Sequence, residues 1–369
     1  MKNAECKRQS VFGGKAQGER LEKVRASPRF KDGQFKNTQS ERGPGIKGNP
    51  LPMLGEYFFG GGERVPKGAL PVLNPRGVWA HRAETGLRIT WLGHSTMLLE
   101  LDGRRVLTDP VFGDRASPAK FAGPKRFHQV PVPVAELPEL DAVLVSHDHY
   151  DHLCISTIQE LAKRQTPFVT SLGVGAHLEA WGIAPERITE LDWWEEAVVG
   201  GVSFTAAPAQ HFSGRGVNDR NHTSWSSWSI RSDKHKVFFS GDTGLTEEFK
   251  DVGRRLGPFD VAMFEVGAFH PSWGDIHLGP QNALEAHAYL GSGIFLPVHW
   301  GTFSLAMHAW DEPAETLVRL AGEQKVRIFT PKLGEALEPA RVDTTPMWWR
   351  EVKALAGAPA ALPAGTTGG

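Results

Sequence analysis

The feature that most constrains this chain is the run at residues 146–152, which reads SHDHYDH. An apolar segment at 142–145 precedes it and predicts a buried strand, and apolar residues at helical spacing follow it over 153–161. The run therefore places three imidazoles and a carboxylate in a tight turn at the C-terminal end of a core strand. Neutral imidazole with carboxylate suits zinc, iron or manganese better than calcium. So dense a group of ligand-type side chains indicates a metal site rather than a polar surface turn.

Composition excludes several classes of protein. The chain has 369 residues, enough for one large domain or two ordinary ones, and its 40% hydrophobic content can fill a sizeable core. A formal net charge of -1 with 22% charged residues marks neither a nucleic-acid binder nor a disordered chain. The two cysteines, Cys6 and Cys154, form no disulfide framework, which predicts a reducing, cytoplasmic compartment. Neither a secretory signal nor an apolar run long enough to span a bilayer is visible.

Three parts are predicted along the chain. Residues 1–70 form a basic arm that is partly ordered at most, since positions 1–48 hold twelve Lys/Arg and five Asp/Glu, a net of +7. Two interpretations of the arm stay open, a flexible segment draped on the body and a basic arm that meets an anionic membrane surface. Residues 54–62 are apolar and then glycine-rich, and we expect them to anchor the arm or to line a substrate groove. Residues 341–369, rich in Ala, Pro and Gly, are predicted to be a disordered tail.

The body, residues 71–340, alternates apolar runs with turn signals. Strands are predicted over 87–92, 96–101, 105–108, 142–145, 168–170, 202–207, 225–230, 236–240, 261–265, 294–298 and 326–329. Helices are predicted over 175–181, 247–256, 281–290 and 313–323. Strands first follow one another as meanders and then alternate with helices. This order predicts two packed sheets flanked by helices rather than one doubly wound sheet.

Further ligand-type side chains follow other strands, namely His211, Asp242 and His299. Because loops at one sheet edge meet in one place, we expect these residues to converge with the 146–152 turn. Seven ligands exceed the needs of one four-coordinate ion, so two ions that share a carboxylate are predicted. The first ion takes His147, His149 and His211, the second takes Asp151, His152 and His299, and Asp242 bridges them. The predicted cofactor is two Zn²⁺ per chain, although the ligand types also suit iron and manganese. Two ions about 3.5–4 Å apart can hold a hydroxide nucleophile between them.

Over residues 89–329 this pattern resembles the metallo-β-lactamase superfamily. Within it, flanking motifs resemble the hydrolases of phospholipase D type that act on N-acylphosphatidylethanolamine, and their bacterial relatives. These motifs are WLGHST at 91–96, TDPVF at 108–112 with RASP at 115–118, SGDTG at 240–244, GPFD at 257–260 and HWGTF at 299–303. The resemblance implies an αββα sandwich with a dinuclear metal site at one edge. It also implies hydrolysis of a phospholipid, or another phosphodiester, at the phosphorus–oxygen bond on the head-group side, releasing phosphatidic acid.

The resemblance also implies roles for residues near the site. His277 corresponds to a histidine of the family that faces the substrate and binds no metal. Its predicted role is to contact the phosphate or to act as the general acid. Asp151 and Asp242 are predicted to be catalytic as well as metal ligands. A surface histidine is the alternative for His277. His270 departs from the residue expected in the family, which indicates a changed substrate pocket.

Three more residues have two interpretations each. Asp109 accepts a hydrogen bond from a ligand imidazole, or caps the turn before Pro110. His94 supports the ligands from behind, or is a turn histidine that bonds the backbone. Arg215, which follows His211 in the chain, grips the substrate phosphate bidentately, or is a surface arginine.

Three functions compete. A dinuclear phosphodiesterase is favoured by the flanking motifs. A lactonase, or another hydrolase of C–O or C–N bonds with the same fold, is the alternative. A non-hydrolytic metal-binding or iron redox protein comes third. An inert relative would be expected to lack a ligand, whereas all seven are present, and an iron redox relative would be expected to have a flavin partner, whereas no flavin-binding segment is evident. Nucleic-acid processing is disfavoured because the chain outside the arm has a net charge of −1 − 7 = −8. We expect a cytoplasmic protein that contacts a membrane peripherally through its arm.

Overall fold

The computed structural model describes residues 10–39, 62–270, 272–273 and 275–357. The expectation for residues 54–62 falls almost wholly outside this part of the chain. The described helices are α1 (Gly18–Ala26), α2 (Arg76–Trp79), α3 (Ile155–Ala162), α4 (Gly175–Ala180), α5 (Glu248–Leu256), α6 (Gly279–Leu290), α7 (Glu312–Gln324) and α8 (Trp348–Gly357). The described strands are β1 (Phe30–Lys31), β2 (Gln34–Phe35), β3 (Leu87–Gly93), β4 (Thr96–Leu101), β5 (Arg104–Thr108), β6 (Ala142–Val145), β7 (Phe168–Ser171), β8 (Ile188–Leu191), β9 (Glu196–Val199), β10 (Val202–Ala207), β11 (Ser227–Arg231), β12 (Lys236–Phe239), β13 (Val261–Glu265), β14 (Ile294–Val298) and β15 (Ala336–Leu337).

Two mixed sheets form the centre of the body. One has the order β15-β3-β4-β5-β6-β7-β8, with β3 to β5 antiparallel and β5 to β8 parallel. The other has the order β14-β13-β12-β11-β10-β9, with β12 to β14 parallel. Apolar side chains of both sheets share one buried cluster, which includes Ile89 and Leu99 from the first sheet and Phe204 and Ile230 from the second. The predicted αββα sandwich is confirmed.

Helices cover the outer faces of both sheets. Ile158 of α3 and Leu178 of α4 pack with the outer side chains of the first sheet. Helix α6 contacts both α5 and α7, and the three helices bury Phe249, Leu284 and Leu317 against the second sheet. Because both faces of each sheet are covered, β3, β4 and β6 are buried along their whole length. Strand β6 is wholly apolar, and the charged residues of the other two strands, Arg88 and Glu100, pair with each other at 3.0 Å.

The parallel pairs direct several strand ends to one edge of the sandwich. Strands β5 and β6 run parallel, so Asp109 and the histidine loop (residues 146–152) follow neighbouring ends. Strands β12, β13 and β14 also run parallel, so Asp242, Glu265 and His299 lie at or just after a second set of ends. The fold therefore brings residues far apart in sequence to one edge.

Two predictions about strands are wrong. Residues 326–329 form no strand and make one isolated bridge, between Phe295 and Ile328. The strand at the end of the body is instead β15, which pairs with β3 of the first sheet. Strands β8 and β9 were not predicted, because these short outer strands have partly exposed and mixed sequences, ITEL and EAVV.

The predicted disorder of the C-terminal tail is wrong for residues 348–357, which form α8. Trp348 and Trp349 are fully buried, and the Trp348 ring stacks on Trp300 with centroids 5.4 Å apart. Trp300 in turn stacks on Trp91 of β3, at 5.3 Å. Burial of the two indole rings stabilises the helix against the body. The average composition of the tail, which is rich in Ala, Pro and Gly, does not indicate this stabilisation.

The N-terminal segment (residues 10–39) lies against the body. Val24 of α1 and Phe35 of β2 are buried with Trp225 and Leu172. Three of its basic side chains form ion pairs with acidic residues of the body, Arg20 with Glu190 at 2.6 Å, Arg29 with Asp192 at 2.7 Å and Lys23 with Glu195 at 3.2 Å. No helix of the described chain is long and apolar enough to cross a membrane.

Candidate metal centre

The first group of ligand-type side chains joins the histidine loop to two other loops. It comprises His147 and His149, His211 from the loop after β10, and Asp242 from the loop after β12, with one ligand atom of each within 4.8 Å of all the others. The His147 Nε2 and His149 Nδ1 atoms are 2.9 Å apart, and His211 Nε2 lies 3.3 Å from His149 Nδ1. The Asp242 Oδ2 atom is 3.8 Å from the Nε2 atoms of both His147 and His211.

A second group adjoins the first and comprises His94, Asp151, His152 and His299. The His299 Nε2 atom lies 3.2 Å from Asp151 Oδ2 and 3.1 Å from Asp242 Oδ2. The other oxygen of Asp242, Oδ1, is 3.1 Å from His152 Nε2. Asp242 thus faces both groups, as predicted for a bridging carboxylate. The structure brings all seven predicted ligands together, and their binding of metal ions stays a prediction.

The arrangement fits cations. The His152 Nε2 and Asp242 Oδ1 atoms are buried at the centre, 3.1 Å apart, and neither has another hydrogen-bond partner. A cation that replaced the proton between them would have both atoms as ligands. The mixture of imidazole and carboxylate donors suits zinc and also accommodates iron or manganese.

The pKa values of the three histidines in the first group favour metal binding. Burial lowers the pKa of His147, His149 and His211, and the neighbouring imidazole of His152 lowers the pKa of His147 further. These three imidazoles are therefore neutral near pH 7. A histidine binds a metal ion only in its neutral form, so no proton has to leave these rings when an ion arrives.

The second group is rich in negative charge. Burial alone would lower the pKa of His299, but the carboxylates of Asp242 and Asp151 outweigh burial and raise it to about 10. The pKa of His152 is likewise raised well above its usual value, by Asp242, Asp151 and Asp109 against the effect of burial. Protons on these rings supply the positive charge that the carboxylates attract. A metal ion would supply that charge instead.

Asp109 fixes the orientation of the His152 ring in the second group. Its side chain accepts hydrogen bonds from Ser146 N at 2.7 Å, Ser146 Oγ at 2.6 Å and His152 Nδ1 at 2.6 Å. The His211 ring is fixed in the same manner, with Nδ1 2.8 Å from the Ile276 carbonyl. Each of these contacts occupies Nδ1 and leaves Nε2 to face the cluster, as is usual for histidines that bind metals.

The contacts of His94 and Arg215 bear on their predicted roles. The His94 Nε2 atom lies 3.1 Å from Asp151 Oδ2 within the second group, and this contact with a predicted ligand fits the supporting role, which stays a prediction. Arg215 is buried, and its guanidinium donates to the carbonyls of Asp148 at 2.5 Å, Leu153 at 2.9 Å and Val11 at 3.2 Å. These bonds brace the histidine loop, so the expected grip of Arg215 on a phosphate is not what its contacts indicate.

Sequence reasoning missed two residues that contact the cluster. Glu265, the last residue of β13, accepts a hydrogen bond from His277 Nδ1 at 2.9 Å. A carboxylate that ends an otherwise apolar strand next to other site-forming strands was the available signal. Asn37 of the N-terminal segment holds the backbone of His211, donating from Nδ2 to the His211 carbonyl at 2.8 Å and accepting from His211 N at 3.1 Å. No local pattern marks Asn37, because its partner is 174 residues away.

Asn37→Asp is expected to weaken binding at the first group by 10- to 100-fold, the range for residues that orient metal ligands. The aspartate accepts from His211 N but cannot donate to the His211 carbonyl, so His211 loses one of its two backbone anchors. Competition with a chromophoric chelator measures the affinity. The matched control is Asn74→Asp, an exposed residue bonded to Arg76, which should bind metal like the wild type. Equal affinities for both variants would contradict the anchoring role.

Comparisons with known proteins agree with this geometry. A model of the beta-lactamase superfamily domain matches residues 104–300, more than half of the chain. An uncharacterized protein of Mycobacterium tuberculosis is 42% identical over 330 residues, which cover 88% of each chain. The N-acyl-phosphatidylethanolamine-hydrolyzing phospholipase D 1 of Caenorhabditis elegans is 38% identical over 271 residues, covering 70% of this chain and 76% of the relative.

A solved structure shows the same fold at low identity. It is a metallo hydrolase of Ignicoccus hospitalis, which superposes with a TM-score of 0.52 at 20% identity and covers 68% of this chain and 97% of that chain. The matched domain, the sandwich and the buried His/Asp clusters lead to one conclusion: the chain belongs to the metallo-β-lactamase superfamily.

Proposed function

We propose that this metal-dependent hydrolase is a phosphodiesterase of phospholipase D type that acts on phospholipids resembling N-acylphosphatidylethanolamine. The observation that carries the proposal is the pair of adjoining His/Asp groups joined by Asp242. The substrate class is supported by the 38% identity with the C. elegans enzyme and by the flanking motifs at 91–96, 240–244 and 299–303.

Two zinc ions are proposed as the cofactor. His147, His149 and His211 would hold one, Asp151, His152 and His299 the other, and Asp242 both. When bound, such ions supply a hydroxide nucleophile near neutral pH and neutralise the charge that develops on phosphoryl oxygens. Asp109 contributes by keeping the His152 ring in place, and Arg215 by bracing the backbone of the histidine loop.

His277 is proposed as the residue that donates a proton to the departing alcohol or contacts the phosphate. Its ring lies beside the cluster, with centroids 5.2 Å from His211 and 5.2 Å from His299. Burial lowers its pKa, but the Glu265 carboxylate and Asp242 outweigh burial and raise it above the usual value, which favours a protonated ring near pH 7. A general acid requires that form.

A groove beside His277 supports a bulky leaving group. The groove has a volume of about 460 Å³, and its lining combines rings such as Phe269 and Trp273, beside His277, with charged side chains such as Glu312 and Arg319. Its aromatic walls can bury apolar parts of a substrate that extend from the metal centre. His270, where the resemblance implies a departure from the family, also lines this groove, which supports an effect of this residue on substrate preference.

A substrate panel tests the proposal. Purified protein should contain two transition-metal ions per chain by elemental analysis. It should also hydrolyse bis-p-nitrophenyl phosphate, and release phosphatidic acid from vesicles that contain N-acylphosphatidylethanolamine. His277→Ala should reduce the phospholipid reaction by about 100-fold, within the range for general acids, whereas His81→Ala, an exposed residue, should not. Cleavage of lactones with no activity on any phosphodiester would contradict the substrate class and favour the lactonase alternative.

A further inference from the structure

We propose that Glu265 is the residue that positions His277 beside the metal centre. The role of His277 that Glu265 serves rests on the proposed function. Glu265 is fully buried at the C-terminal end of β13, a strand flanked on both sides by β12 and β14. Its backbone N–H donates to Ser240 Oγ at 3.0 Å, so both ends of the residue are fixed.

The Glu265 carboxylate connects three segments of the site. One oxygen, Oε1, accepts from the backbone N–H groups of Thr243 at 3.0 Å and Leu278 at 3.1 Å. The other oxygen, Oε2, contacts His277 Nδ1 at 2.9 Å. A carboxylate only accepts hydrogen bonds, so the proton of this contact belongs to His277 Nδ1. Glu265 therefore fixes both the ring orientation of His277 and the nitrogen that carries its proton.

The consequence concerns the second ring nitrogen of His277. Because Nδ1 is committed to Glu265, Nε2 is the nitrogen left to meet a substrate in the adjacent groove. The side chain is 12% exposed, so one part of the ring is open to that groove. Without Glu265 the ring could turn, and the reacting nitrogen would no longer be defined.

Glu265 also lies near a second histidine, but without a hydrogen bond to it. The His299 Nδ1 atom is buried without a hydrogen bond and lies 3.9 Å from Glu265 Oε2. The opposite nitrogen of that ring, Nε2, faces Asp151 and Asp242. A distance of 3.9 Å is too long for a hydrogen bond, so the positioning role of Glu265 concerns His277.

A ligand role for Glu265 is the competing interpretation, since Glu265 also groups with Asp242, His277 and His299 within ligand distances. The hydrogen bonds argue against it. Three N–H donors already occupy the carboxylate, two of them from the backbone, which cannot turn away as a side chain can. A positioning role uses these bonds as they stand.

Glu265→Gln separates the two roles. The two backbone N–H groups require the carbonyl oxygen of the new amide, so its NH₂ group must face His277. That NH₂ is a donor, and it forces His277 to accept through Nδ1 and to carry its proton on Nε2. The substitution thus leaves His277 Nδ1 without a proton while changing the volume of the side chain little.

The experiment combines ring ¹⁵N NMR with kinetics and elemental analysis. In the wild type, His277 should show a protonated Nδ1, and in Glu265→Gln Nδ1 should be unprotonated while Nε2 carries the one proton of the ring. The kcat should fall 10- to 100-fold with KM nearly unchanged, and His277→Ala should add little further loss in the Glu265→Gln background, because both changes remove one function. The control Glu100→Gln changes a buried glutamate that pairs with Arg88, and should retain wild-type kcat.

Each outcome decides the question. An unprotonated Nδ1 in the wild type would overturn the proposal, and this measurement needs no variant to fold. Loss of one metal ion in Glu265→Gln, with the His277 tautomer unchanged, would assign Glu265 as a ligand instead. Fully additive losses in the double variant would contradict a shared function. If the wild type cleaves no phosphodiester, the proposed function fails, while the NMR result still decides the role of Glu265.

Discussion

Asp242→Asn is expected to lose at least three orders of magnitude in kcat/KM, about 4 kcal/mol of transition-state stabilisation. Both oxygens of Asp242 face the cluster, Oδ1 at 3.1 Å from His152 Nε2 and Oδ2 at 3.1 Å from His299 Nε2. Asparagine removes the negative charge that two cations would share, and it replaces one oxygen with an NH₂ group that cannot bind a cation. The two groups then have no common ligand.

Two measurements check this prediction, the rate with bis-p-nitrophenyl phosphate and the number of ions per chain by elemental analysis. We expect fewer than two ions in Asp242→Asn. The matched control is Asp311→Asn, another buried aspartate, whose partner Lys353 lies outside the cluster. It should keep both ions and nearly all activity. Wild-type activity with two ions in Asp242→Asn would contradict the bridging role of Asp242 and would show that the other six residues suffice for both ions.

The convergence of the seven proposed ligands could be predicted from the sequence because each lies just after a strand with a clear apolar signal. His147, His149, Asp151 and His152 share one loop, so their proximity needs no tertiary information. His211, Asp242 and His299 each follow a different predicted strand, and strands of one sheet bring such residues to one edge. The sandwich followed from the same pattern of strands and helices.

Residues that support the ligands were harder to predict. Arg215 and Asn37 act on backbone atoms of distant segments, and no spacing in the sequence encodes such contacts. Glu265 is part of a strand whose other residues are apolar, so local reasoning assigned that strand to the core alone. Helix α8 was not predicted, because two buried tryptophans, and not the composition of the tail, determine its packing. Side-chain partners across the fold, rather than local propensities, set these features.

Asp109→Asn is the second change with a large expected effect, since it should weaken the second ion site by 10- to 100-fold. One oxygen of Asp109 accepts from Ser146 N, and the other accepts from Ser146 Oγ and His152 Nδ1. The amide must keep its carbonyl oxygen toward the backbone N–H, so its NH₂ group faces His152 Nδ1. His152 must then carry its proton on Nε2, the nitrogen that faces Asp242, and a protonated nitrogen cannot bind a metal ion.

Asparagine suits this test because Asp109 has a φ of 33°, and asparagine tolerates positive φ better than alanine does. Breaking the buried Asp109–His152 pair should also cost about 3–5 kcal/mol of unfolding free energy. Chelator competition measures the affinity, and denaturant unfolding with and without zinc measures the stability. Asp102→Asn provides the control, because Asp102 contacts His235 Nδ1 at 2.9 Å at a distant hairpin and should change stability but not metal affinity. Wild-type affinity in Asp109→Asn would show that His152 does not bind through Nε2, because the ring would then be protonated on that nitrogen.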